Sequence, residues 1–343
     1  MIYLNNAATS YPKPPSVPEA VCQALTMPPR EGLRGTLGGE DSAEICRCAI
    51  APVLGVREPS RVFFTSGATE SYNLILRGLN PSGKVSVVSV YEHNALLRPL
   101  WALTGGKDIR IAKPSSDGAL SADDVRRLSE GADFVFVNQC SNATGAVQDL
   151  RALACAAHDS GALLIADVSQ SAGLMPLSLE DDAVDLAVFT GHKALFGPAG
   201  TGGFYLRAGV PLAAAKWGGT GTGGKTILPD EPEVFETGTQ NLSGLAGLTA
   251  GAAFVRETGI ERIAGMLREK VVLVHGALCA IPGVRVYGGP SGGAVAFNIG
   301  GLSPAGVGYI LRYGYDIVVR TGYHCAPLLA DAIGAPEGTV RAS

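Results

Sequence analysis

Lys193 lies just past the apolar run LAVF, inside TGHKALFGPAGTGG at positions 190–203. Gly191 before it and Gly197, Pro198 and Gly200 after it hold the amine on a tight turn at a strand end. A second apolar run, Leu163 to Ala166, leads into Asp167, Val168, Ser169 and Gln170. Two neighbouring strands ending here would present a carboxylate and an amine to one crevice. A carboxylate against a pyridine nitrogen keeps that nitrogen protonated, which makes the ring an electron sink for a carbanion at an amino acid Cα. A lysine forms the imine that holds such a cofactor and, once displaced, is the base that moves the proton. One cofactor, pyridoxal 5'-phosphate (PLP), explains both residues.

A phosphate has its own place. Thr65, Ser66, Gly67, Ala68 and Thr69 follow the run VFF and precede ESYNLILRGL, a helical pattern with Glu70 in its first turn. Strand, small-residue turn and helix start together gather backbone N–H groups and hydroxyls around one anion. The stretch matches neither GxGxxG nor GxxxxGK[ST], so nucleotide-binding folds gain nothing from it.

These residues need a scaffold that delivers strand ends to one side. Short apolar, β-branched runs recur at Val62 to Thr65, Val85 to Val90, Phe134 to Val137, Leu163 to Ala166, Leu186 to Phe189 and Gly203 to Leu206. Helical patterns such as SADDVRRLSEG and DLRALACAAHDSG lie between several of them, and another starts at Asp41. Runs without strict alternation suit strands covered on both faces, so the order predicts an α/β fold with ligands at the C-terminal ends of its strands. The first thirty or so residues, with Pro12, Pro14, Pro15 and Pro18, read as an irregular arm. Beyond residue 255 a long helix, VRVYG, GAVAFNI, a helix at SPAGVGYILRYG and DIVVR give a smaller α+β domain. The division is then an arm at 1–20 associated with the small domain, a large domain at 21–254 and a small one at 255–343.

With 27 Lys plus Arg against 31 Asp plus Glu there is no basic block to track a phosphate backbone, which argues against nucleic acid. No stretch approaches the 18 or so apolar residues of a membrane span, and MIYLNNAATSYP lacks the features of a signal peptide, so a cytoplasmic protein is expected. Seven scattered cysteines suit a reducing compartment, and the Cys46, Cys48 pair has the spacing of neither a zinc knuckle nor a redox pair. No metal site is expected. His158 and His275 read as structural or surface groups.

Taken in order from LNNAATS to GTVRAS, these motifs resemble the class V aminotransferase family of fold-type I PLP enzymes, in particular its cysteine desulfurase and selenocysteine lyase branch. The resemblance implies a fold-type I transferase with a mostly parallel seven-stranded sheet. It also implies roles for individual residues. FTSGATE places Ala68 and Thr69 at the cofactor phosphate, and YEHNALLRP places His93 over the pyridine ring. CSNATG brings Asn142 beside the phenolic oxygen, and ADVSQ brings Asp167 to the ring nitrogen and Gln170 to that oxygen. FTGHK gives Thr190 and His192 to the phosphate and Lys193 to the covalent link. FETGTQN would send Gly238 and Thr239 to the phosphate of a partner subunit, making a homodimer whose active sites are completed across the interface.

RTGYHCAP decides the reaction class. In the family its cysteine, here Cys325, attacks the substrate sulfur, and His324 and Arg320 share the motif. Arg341 of VRAS matches the arginine that pairs with the substrate carboxylate, where a guanidinium offers two parallel donors. The implied reaction transfers sulfur from L-cysteine to Cys325 as a persulfide and releases L-alanine, with a protein or small thiol as later acceptor. Selenocysteine lysis, another class V lyase or aminotransferase reaction, and a non-catalytic scaffold are the alternatives. The run between Arg320 and APLL is short, so a comparatively fixed loop is expected. Two departures from the family stand out: the small domain reads as truncated after Arg341, and GTGTGGKT at 219–226 is unusually rich in glycine.

Overall fold

The structure is a computed structural model that describes residues 1–27, 41–115, 117–219 and 234–343. In chain order the first half holds β1 (Ile2–Tyr3), α1 (Ser16–Thr26), α2 (Ser42–Leu54), β2 (Val62–Thr65), α3 (Ala68–Leu79) and β3 (Ser86–Ser89). There follow α4 (Asn94–Thr104), β4 (Ile109–Ala112), α5 (Ala122–Ser129), β5 (Phe134–Asn138), α6 (Leu150–His158) and β6 (Leu163–Asp167). β7 (Leu186–Thr190), β8 (Gly202–Leu206) and α7 (Leu242–Thr258) complete the larger part. The remainder is α8 (Ile260–Cys279), β9 (Val284–Tyr287), β10 (Val295–Ile299), α9 (Pro304–Tyr315), β11 (Ile317–Val318), β12 (Arg320–Gly322), α10 (Leu329–Ala332) and β13 (Thr339–Ala342).

Seven strands form the main sheet in the order β2-β8-β7-β6-β5-β3-β4. Only β8 runs against its neighbours; the rest are parallel. Because side chains alternate across a strand, β5 serves both faces. Phe134 and Phe136 pack with Leu76 of α3 and Leu96 of α4, whereas Val135 and Val137 pack with Ile50 of α2 and Leu153 of α6. Each such fully buried side chain is worth roughly 1.5–3 kcal/mol of transfer free energy. The six apolar runs read from the sequence all form strands of this sheet. The seventh, β4, was not among them, because as an edge strand it leaves Ile109 and Arg110 half-buried and Ile111 exposed and keeps only Ala112 buried.

The N-terminal segment is more regular than its prolines suggest. Pro15 caps α1 and Pro18 lies in its first turn, where a missing N–H costs nothing, and α1 packs along α7. The glycine-rich stretch at 219–226 lies outside the described residues except for Gly219. A four-stranded antiparallel sheet, β12-β13-β10-β9, forms the smaller layer. β1 pairs in parallel with β11 in a separate two-stranded sheet.

One ion pair of the interior was invisible in the sequence. Arg47 of α2 meets Glu236 through Nη1–Oε1 and Nη2–Oε2 contacts of 2.6 Å each, and Glu236 Oε1 also accepts from Phe64 N–H at 2.6 Å. Both side chains are buried. The pair fastens the segment carrying Gly238 and Thr239 to α2 and β2. Arg47→Ala strands a buried carboxylate and is expected to lower the unfolding free energy by about 3–5 kcal/mol, read from chemical denaturation.

Among the described residues no helix is long and apolar enough to cross a membrane, and no cluster of His, Cys, Asp or Glu could hold a metal. His158 bonds Asp185 Oδ2 at 2.8 Å, opposite the Arg207 contact to Oδ1 at 2.5 Å, which makes it a structural residue.

Candidate active site

The C-terminal ends of β5, β6 and β7 open onto a cavity of 340 Å³, within the range of small-ligand pockets. Ala68, Thr69, His93, Asn142, Asp167, Gln170, Thr190, His192, Lys193 and Arg320 all line it. The structure thus brings together ten of the residues singled out from the sequence. It adds Asn138, Ala7 and Ala8, which carry no reactive group and no spacing signal. Gly238 and Thr239 line a separate pocket of 180 Å³ that shares Ser66, Glu70 and Gly200 with the first.

Lys193 owes its position to a turn with no slack. A Cβ on Gly191 would overlap Thr201 Oγ1, Gly191 N–H donates to the Thr201 carbonyl at 2.8 Å, and Phe196 N–H closes on the Lys193 carbonyl at 2.9 Å. The N-terminal arm clasps the same turn. Ser10 Oγ donates to the Lys193 carbonyl at 2.6 Å, and Lys13 Nζ donates to the His192 carbonyl at 2.6 Å. Burial lowers the Lys193 pKa, opposed by Asp167; Arg341 lowers it further, Cys325 raises it, and Arg320 lowers it. A lysine poised this way gives up its proton more readily than a surface one. Burial, helped by Lys193 and Lys13, brings His192 down to about 4, so it faces the cavity as a neutral ring.

Cys325 occupies a short loop pinned from several sides. Asn94 N–H donates to its carbonyl at 2.8 Å, Asn142 Nδ2 donates to the His324 carbonyl, and His324 Nε2 lies 2.9 Å from Thr339 Oγ1. His324 and Cys325 have φ of 53° and 62°, two consecutive non-glycine residues in the left-handed region, a local cost of about 1–3 kcal/mol each. The fixed loop read from the sequence matches this. A hydrogen bond from His93 is the first cause that draws the Cys325 thiol down to about 6; burial opposes it, and the bond and charge of Arg320 add to it. Arg320 Nη2 donates to Sγ at 2.9 Å. His93 Nδ1 accepts from Ala95 N–H at 3.0 Å, which leaves Nε2 as the nitrogen that donates. Cys46 and Cys48 share none of this setting: Cys46 is buried and Cys48 exposed.

Arg341 is fully buried on β13, behind the cavity wall. Its Nη1 donates to the Asn142 carbonyl at 2.8 Å and Nη2 to Asn5 Oδ1 at 2.6 Å, while Nε has no partner. Burial and the charge of Arg320 bring it down to about 10. Arg320 is the guanidinium that faces the cavity.

The cavity suits PLP. Asp167 is buried at the end of β6, with Lys193 on the next strand's turn. Asn142 Oδ1 is buried without a partner. The N-terminus of α3 has no side-chain cap, and Ser66, Gly67, Ala68 and Thr69 at that end line the cavity. Asn142 and Gln170 each spend one amide N–H on a backbone carbonyl, of His324 and Ala7, and each keeps a second.

The fold is that of an enzyme of the fold-type I group. The Aminotransferase class-V family model matches residues 2–343. A probable cysteine desulfurase from Methanothermobacter thermautotrophicus is 35% identical over 82% of this chain and 74% of its own length. A cysteine desulfurase from Klebsiella pneumoniae is 33% identical over 96% of this chain and 86% of its own. Among solved structures, the apo cysteine desulfurase from Thermococcus onnurineus superposes with a TM-score of 0.88 at 30% identity, covering 100% of this chain and 89% of that one. The chain belongs to the class-V aminotransferase family.

Proposed function

We propose that the protein is a PLP-dependent cysteine desulfurase that takes the sulfur of L-cysteine onto Cys325 and releases L-alanine. The observation that carries this reading is a thiol drawn down to about 6, bonded by Arg320 and His93, within electrostatic reach of a buried lysine. A structural cysteine has no use for such surroundings.

Asp167, Lys193, His93, Asn142 and Gln170 would hold the PLP ring, and Ala68, Thr69, Thr190 and His192 its phosphate. When bound, PLP supplies an electron sink that acidifies the substrate Cα–H and weakens the Cβ–S bond. Lys193, with its lowered proton affinity, removes that proton and returns it. Arg320 orients the substrate carboxylate from the cavity wall, and Arg341, buried behind that wall and bonded to the Asn142 carbonyl and Asn5, holds Asn142 in place. The Cys325 thiolate then attacks the substrate sulfur: an S–S bond forms, the Cβ–S bond breaks with its electron pair left on carbon, and protonation of carbon gives alanine. Persulfide on Cys325 and alanine together contain every atom of the cysteine consumed.

Gly238 and Thr239 line a pocket next to the cavity but not the cavity itself, which supports their serving the phosphate site of a second subunit in a homodimer. A protein or small-molecule thiol would collect the persulfide sulfur. Seven free cysteines, one of them readily ionised, favour a reducing cytoplasmic setting. The test is to supply L-cysteine and a thiol reductant to PLP-loaded protein and quantify products. Alanine and sulfide in equal amounts are expected; turnover to pyruvate, or none, would overturn the assignment.

A further inference from the structure

Glu92, in YEHNALLRP, has no task in the reaction just described. It follows β3, immediately before His93, and has no exposed surface. Ser89 Oγ and Asn138 N–H both donate to its Oε1, each at 2.6 Å. The carboxyl therefore ties the exit of β3 to the exit of β5, where Asn138 lines the cavity. Oε2 is buried with no bonding partner, and so is the hydroxyl of Tyr72 on α3. Asp167, at the end of β6, is within electrostatic reach of both. Among the described residues no cation influences Glu92, whereas Asp167 feels the amine of Lys193 and accepts from Ser169 N–H at 2.8 Å.

Two carboxyls in one buried region do not both ionise cheaply, and the one without a cation keeps its proton. An ionised Oε2 with no donor would also forfeit the hydrogen bonds it makes in water. We propose that Glu92 is a neutral carboxylic acid beneath the site, a positioning residue that fixes Asn138 and the approach to His93 while adding no charge of its own beside the cofactor ring. The last clause rests on the PLP reading above.

The groups that face Glu92 are Ser89, Asn138, Asp167 and Tyr72. Burial pushes it up to about 8; the Ser89 bond pulls down, Asp167 pushes up and the Asn138 bond pulls down. In the unfolded chain the same carboxyl titrates near ~4.3. The folded protein therefore binds the extra proton between these values, and its stability falls as pH rises from the lower toward the higher.

Glu92→Gln keeps the carbonyl acceptor and removes the titration. In apoprotein the stability of Glu92→Gln relative to wild type should climb steadily from about pH 5 to about pH 8. Wild-type apoprotein at neutral pH should show an infrared carbonyl stretch of a buried carboxylic acid that Glu92→Gln lacks. With PLP added, Glu92→Gln should match wild-type affinity and leave the pH titration of the visible band unmoved. Glu92→Ala, which strands the Asn138 amide, should bind PLP about tenfold more weakly. A pH-independent stability difference, a missing acid stretch or a shifted band titration in Glu92→Gln would each overturn the proposal. If Glu92→Gln does not fold, the infrared measurement on wild type decides. Failure of wild type to bind PLP defeats the PLP reading alone, because the apoprotein measurements still judge Glu92.

Discussion

Lys193→Ala is expected to lower kcat for alanine formation by on the order of 10²–10⁴-fold, the range for losing a positioned acid–base group, and to erase the visible absorbance of the protein mixed with PLP. The fold should survive. The turn is fixed by backbone contacts from Gly191, Phe196 and Thr201 and by Ser10 and Lys13, none of which uses the Lys193 amine. Removing an amine that burial already disfavours should leave the denaturation midpoint unchanged or raise it. Circular dichroism, the midpoint and the visible spectrum measured together separate loss of chemistry from loss of structure. A variant that keeps the visible band and turns over normally would remove Lys193 from the site.

Cys325→Ala has the opposite signature: PLP should bind with its visible band intact, while sulfide and alanine production collapse. The wild-type pH profile sharpens the prediction. A thiol at about 6 is roughly nine-tenths ionised at pH 7, so the rate should fall only as the pH drops through that value. In Arg320→Ala the thiol loses both a bond and a neighbouring charge, and the acidic limb of the profile should move upward. If the thiol returned all the way to ~8.5, its ionised share at pH 7 would be about 30-fold smaller. An acidic limb that stays put in Arg320→Ala, or undiminished sulfide from Cys325→Ala, would exclude Cys325 as the acceptor.

How much of this was readable beforehand depended on whether a signal was local. The strand ends carrying Asp167 and Lys193 are each written in a continuous apolar run followed by small residues, and a buried parallel sheet leaves that imprint. β4 left none, because an edge strand need not be apolar throughout. α1 was hidden by Pro15 and Pro18, which break a helix in its interior but are tolerated at its start. Arg47 and Glu236 lie 189 positions apart, and nothing at either position announces the other. Glu92 was the nearest miss. It stood inside a quoted motif, yet an acid beside a histidine is ordinarily a solvated residue, and only its complete burial sets it apart. The place of Arg341 behind Asn142 likewise depends on how β13 packs, which no spacing encodes.

The N-terminal arm touches almost every part of the site's frame. Tyr3 pairs with Val318, Asn5 holds Arg341, Asn6 bonds the Ser343 carbonyl at 3.0 Å, Ala7 receives Gln170, and Ser10 holds the Lys193 turn. A single short strap bonded to both layers makes them open as one cooperative unit. Amide hydrogen exchange should register this as a shared protection factor. The N–H groups of Asn6 and Ser343, both bonded across the strap, should exchange at one common rate, and Ser10→Ala should speed both together although it touches neither.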